Sequence, residues 1–93
     1  MDKRKQLYFL LKNYVSGNYN IADFSKEFYY AFYPDIPKEE LSSIEYIEFN
    51  KLAYATARFS QYEEDFKNCP QAFVTASELD IIAKTVYKKL SNL

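Results

Sequence analysis

Histidine is missing from this 93-residue chain, glycine and cysteine each occur once, and there are three prolines. Without His, the commonest general base and the commonest metal-binding side chain are both lost. Gly17, as the sole glycine, cannot build a phosphate-cradling loop, and neither HExxH nor CxxC spacing occurs. Cys69 has no second cysteine to pair with, which excludes an intramolecular disulfide and suits a reducing compartment. A nucleophilic thiol would need a base and activating surroundings, so a packed or loop cysteine is the plainer expectation. The scarcity of turn residues favours a few long helices over many short strands. No apolar run approaches the ~20 residues that span a bilayer. The basic start, Lys3-Arg4-Lys5, precedes an apolar stretch at 7–11, but Lys12 and Asn13 break it and no small-residue cleavage site follows. A cytoplasmic protein without membrane contact, enzyme activity, metal or cofactor is the expectation.

What the chain does have is core material: 48% apolar and 19% aromatic residues, enough for one folded domain over 1–93. Four helical segments follow from periodicity. Leu7, Leu10, Leu11 and Tyr14 share a face of the first, which Ser16-Gly17-Asn18 ends. Ile21, Phe24, Phe28, Ala31 and Phe32 stripe the second, with Asn20 as N-cap, Asp23 in its first turn and Pro34-Asp35-Ile36-Pro37 closing it.

A third helix is expected over 38–59, with Glu39 and Glu40 near its start. Its pattern is double: Leu41, Ile44, Leu52, Ala55 and Phe59 share one face, while Tyr46, Phe49, Ala53 and Ala57 lie on another. That pattern marks a central helix, or one with a contact surface. The segment 61–74 reads as irregular, with room for a short helical turn. Thr75-Ala76-Ser77-Glu78 fits a capping box opening the last helix, striped by Leu79, Ile82, Ala83, Val86 and Leu90. Asp80 and Lys84 pair on its outer side, and Lys88 and Lys89 suit its C-terminal end. The fold class is all-α, an antiparallel four-helix bundle.

Charge is distributed unevenly although the net value is only −1. Glu39, Glu40, Glu45, Glu48, Glu63, Glu64 and Asp65 crowd the centre against Lys38, Lys51 and Arg58, and the remaining cations gather toward the termini. An acidic centre disfavours nucleic acid as direct ligand and suits a basic protein partner. The competing reading is a solvated polar face with no task. Ten tyrosines exceed what a core needs. Tyr8, Phe9, Tyr30, Tyr33 and Tyr46 fall off the apolar stripes and Tyr62 lies in the acidic loop, as in a binding hot spot or as rings capping a small core.

From residue 7 to residue 90 the chain resembles the bacterial immunity proteins of the colicin D type. The resemblance is carried by Ile21-Ala22-Asp23-Phe24-Ser25 opening the second helix and Leu52-Ala53-Tyr54-Ala55-Thr56-Ala57-Arg58-Phe59 ending the third. The acidic loop and a final helix ending Lys88-Lys89-Leu90 complete it. It implies a small helical protein that covers the basic cleft of a tRNA-cleaving toxin and sets carboxylates where RNA phosphates would lie. By position it makes Glu63, Glu64 and Asp65 the foremost partner-binding candidates and Glu78 and Asp80 secondary ones. Tyr62, Glu45 and Glu48 join them from the acidic, aromatic surface. The loop Ser60-Gln61-Tyr62-Glu63-Glu64-Asp65 departs from the family by an inserted aromatic, which leaves the toxin's sequence and activity open.

Two further readings stand beside this one. A helical module could self-associate through Tyr30, Tyr33 and Tyr46, making a dimer the alternative to a monomer. An RNA-binding factor could use Lys3-Arg4-Lys5 with Lys84, Lys88 and Lys89, and would show strongly salt-dependent affinity.

Overall fold

A computed structural model describes residues 3–33, 41–69 and 71–92. The described chain is all-helical: α1 (Lys3–Val15), α2 (Ile21–Phe32), α3 (Ser43–Arg58), α4 (Glu63–Asn68) and α5 (Ala76–Ser91). The expected first, second and last helices are present with the expected buried stripes. Leu7, Leu10 and Leu11 are buried on α1, Phe24, Phe28, Ala31 and Phe32 on α2, and Leu79, Ala83, Val86 and Leu90 on α5.

Helix ends are set by local chemistry. Gly17 takes φ +86°, which lets its N–H reach the Tyr14 carbonyl while the Asn18 N–H reaches that of Asn13. This paired arrangement satisfies carbonyls that the end of α1 would otherwise leave unpartnered. Asn20 caps α2 by accepting from the Asp23 N–H at 2.9 Å. At the other end of α2, Tyr33 turns to extended backbone, the conformation favoured before Pro34. The proposed Pro34-Asp35-Ile36-Pro37 stop itself lies outside the described residues, as do Glu39 and Glu40.

The third helix starts at Ser43 rather than 38. Ser42 and Glu45 form a capping box: the Ser42 hydroxyl accepts from the Glu45 N–H at 3.2 Å, and the Glu45 carboxylate accepts from the Ser42 N–H at 2.9 Å. A reciprocal cap fixes the start of a helix more firmly than acidic residues upstream of it. The inward face also differs from the expected stripe. Glu45, Glu48, Phe49, Leu52, Ala53, Ala55 and Thr56 are buried, whereas Ile44 and Ile47 are exposed. α3 packs against both α2 and α5, so it buries a broad arc in place of a narrow seam.

α1 packs on α2 and α5, which in turn flank α3. Phe24, Phe28, Phe49, Leu7, Leu11, Leu52 and Leu79 are fully buried between them. A train of rings crosses this interior: Tyr14 stacks on Phe24 at 4.5 Å, Phe24 meets Phe28 at 5.6 Å, Phe28 meets Phe49 at 5.9 Å, and Tyr8 abuts Phe49 at 5.1 Å. Polar contacts fix which helix ends lie together. Arg4 bonds Glu45, joining the starts of α1 and α3, and Lys89 brings the last turn of α5 within 3.7 Å of Glu48. Tyr14 bonds Asp80 and the Ser25 hydroxyl donates to the Thr56 carbonyl, so the end of α1, the starts of α2 and α5 and the end of α3 lie at the opposite end.

Candidate functional site

The segment between α3 and α5 is more ordered than its sequence suggested. The Val74 N–H donates to the Arg58 carbonyl at 2.8 Å and the Ser60 N–H to the Val74 carbonyl at 3.1 Å, a one-residue parallel bridge between Phe59 and Val74. Arg58 clamps the returning strand of chain. Its guanidinium donates to the carbonyls of Ala72 at 2.9 Å and Gln71 at 2.5 Å while lying 5.1 Å from the centre of the Tyr54 ring. Phe66 and Phe73 meet edge to face at 6.1 Å. These contacts hold α4 as a defined turn on the surface.

Tyr62, Glu63, Glu64 and Asp65 occupy the start of that turn. Tyr62 is 73% exposed, the largest value among the exposed apolar side chains of the described residues. Glu63 and Glu64 are exposed and have no ionic or hydrogen-bonding partner among the described residues. Asp65 is half-buried, and one of its oxygens accepts the Ser60 hydroxyl at 2.5 Å. Ser60 is itself buried and also accepts the Tyr62 N–H at 3.1 Å, so a single hydroxyl orients both neighbours.

Glu78 and Asp80 lie at the start of α5. Glu78 closes the Thr75 capping box, its carboxylate accepting the Thr75 N–H at 3.0 Å. That N–H, the Thr75 hydroxyl and the charge of Arg58 hold its carboxyl below the usual range. Asp80 accepts the Tyr14 hydroxyl at 2.5 Å and pairs with Lys84 at 2.9 Å. The Tyr14 hydroxyl foremost, then Lys84, lowers its pKa. Both residues have structural work inside the chain, and Glu78 is the more exposed of the two.

Glu45 and Glu48 are not part of this surface. They are 4% and 5% exposed and face the interior. Glu45 accepts from Arg4 Nε at 3.0 Å, from the Ser42 N–H and from the Tyr8 hydroxyl. Burial pushes its carboxyl upward, but those donors together outweigh burial and hold it at about 2. Burial, reinforced by the Glu45 carboxylate, pushes the Tyr8 hydroxyl up to about 12. Glu48 is paired with Lys51 at 3.1 Å and lies near Lys89. Carboxylates in this position are matched by the chain's own cations. Arg4, a candidate RNA contact by sequence, is instead spent on Glu45; of Ser42, Ser60 and Arg58, which sequence reasoning misses as structural residues, only Ser42 carries a local signal, the Ser-x-x-Glu spacing to Glu45.

Among the described residues no group of three His, Cys, Asp or Glu side chains converges as a metal site, and no helix is long and apolar enough to cross a membrane. Cys69 is exposed as a free thiol. What the surface turn offers chemically is clustered negative charge next to an exposed aromatic. Compared with known proteins, the chain matches no family model, no curated protein and no solved structure.

Proposed function

We propose that this protein is a non-catalytic immunity protein of the cytoplasm. It binds the basic cleft of a cognate nuclease toxin, one that cleaves tRNA on the family resemblance, and occupies it with carboxylates in place of RNA phosphates. The supporting observation is the turn at Tyr62, Glu63, Glu64 and Asp65. Two of its carboxylates have no partner within the described chain, and the third is oriented by a buried hydroxyl. Clustered charges of this kind steer a basic partner and raise its rate of encounter. The scaffold is an antiparallel four-helix arrangement of α1, α2, α3 and α5, a reading supported by which helix ends share contacts. The test is co-expression with nuclease toxin domains encoded beside this protein. Rescue of growth and a purified one-to-one complex are expected, and failure to bind or rescue any of them ends the proposal.

One observation favours self-association as a second reading. Ile47, Tyr54 and Ile81 are each more than half exposed on α3 and α5, two helices that pack together. Tyr33 and Tyr46, by contrast, pack partly against the core and are poorer contact residues. Sedimentation equilibrium decides: a stable dimer that Ile47→Lys with Ile81→Lys dissolves supports this reading over the monomeric inhibitor.

A further inference from the structure

Next to the acidic turn an open groove of about 360 Å³ runs between α2 and the chain leaving α3. Tyr29, Tyr30 and Tyr62 line it, together with Ser60, Asp65 and Lys26. Tyr29 and Tyr30 meet edge to face at 5.3 Å, which fixes their rings relative to each other. Ser60 holds Asp65 through one carboxylate oxygen, leaving the other without a partner among the described residues. Aromatic faces carry negative quadrupole charge and attract cations. A planar, weakly hydrated guanidinium can stack on such a ring and still donate in-plane hydrogen bonds to a carboxylate, which a compact, strongly hydrated ammonium does less well. The chain already uses this chemistry internally, where Arg58 lies on the Tyr54 ring while donating to two carbonyls.

Two other grooves fit a cation less well. The one between α1 and α2, about 730 Å³, carries Asp23 and Glu27, each with one oxygen engaged, by Asn20 and Tyr19 respectively, but both stand on exposed helix positions, whereas Asp65 is half-buried. The one along α1 has Arg4, Lys5 and Lys12 on its wall, and its only carboxylate, Glu45, is engaged by Arg4.

We propose that the groove beside α4 is a socket for one arginine side chain of the protein partner. The guanidinium lies against the tyrosine rings and donates to the unengaged oxygen of Asp65. This rests on the inhibitor reading and names the side chain that the surface takes from a basic partner. Lys26 borders the socket on an exposed helix position and opposes an incoming cation, so its removal should tighten binding.

The probe is N-acetyl-arginine amide, titrated into the ¹⁵N-labelled protein at low ionic strength, with N-acetyl-citrulline amide as neutral isostere. Saturable amide shifts centred on Ser60, Gln61, Tyr62 and Asp65 are expected for arginine, with citrulline at least ~10-fold weaker. Asp65→Asn, which keeps an acceptor for Ser60, should weaken arginine by about 10-fold. Tyr62→Ala should weaken it as well, and Lys26→Ala should strengthen it. No saturable shift, equal response to citrulline, shifts centred elsewhere, or indifference to Asp65→Asn each overturns the socket. The two proposals fail separately. A toxin domain neutralised by a protein that ignores the probe removes only the socket, and a bound probe with no toxin partner removes only the inhibitor reading.

Discussion

Glu45 carries three structural roles at once: it closes the α3 capping box, pairs with Arg4 and accepts from Tyr8. Its carboxyl sits at about 2 in the folded protein against an ordinary 4.5. A depressed folded value means the unfolded chain binds the proton more readily. The stabilisation is therefore complete above about pH 4.5 and drains away as pH falls toward 2. Screening at the half-exposed Arg4 reduces the contribution at neutral pH to on the order of 2 kcal/mol. Glu45→Gln should lower stability by about that amount at pH 7 and flatten the loss of melting temperature between pH 4.5 and 2.5, as followed by circular dichroism. The Ser-x-x-Glu spacing that makes the cap was legible in the sequence, but the burial of Glu45 was not. Its cation comes from 41 residues away, and a local charge pattern reads such a carboxylate as solvated. The same reasoning misplaced Glu48, whose burial is matched by Lys51 and by Lys89 on another helix.

Among the helices, α2 and α5 were legible almost to the residue, because each carries one clean stripe and a side-chain N-cap, Asn20 or Thr75. α3 was less legible because its broad inward arc includes two carboxylates and leaves out Ile44 and Ile47. Ser42→Ala removes half of its capping box and should cost ~1 kcal/mol by urea denaturation, with an unchanged slope. Phe28 is fully buried and touches the rings of both Phe24 and Phe49. Phe28→Ala should therefore cost about 3–5 kcal/mol through the cavity it leaves. The segment after α3 looks irregular in sequence because its order depends on non-local bonds, from Arg58 to Gln71 and Ala72 and between Phe59 and Val74, which no short-range period announces.

At the scale of the whole molecule, carboxylates divide by position. Glu45 and Glu48 are neutralised inside, while Glu63 and Glu64 stand on a surface turn beside exposed Tyr62. The sequence placed all of them in one acidic centre, and only the packing of α3 separates the structural pair from the exposed pair. Glu63 and Glu64 are exposed, so reversing their charge should leave helicity and melting temperature within the range of ordinary surface changes, about 0.5 kcal/mol. Recognition is where the reversal should appear. The deciding measurement is isothermal titration of the nuclease toxin domain proposed as partner with wild-type protein and with the Glu63→Lys, Glu64→Lys double variant, at low and moderate salt. Tight wild-type binding that weakens as salt rises, and a loss of at least ~30-fold in the folded variant, is the predicted result. Equal affinity of the two proteins would show that this turn is not what grips the partner.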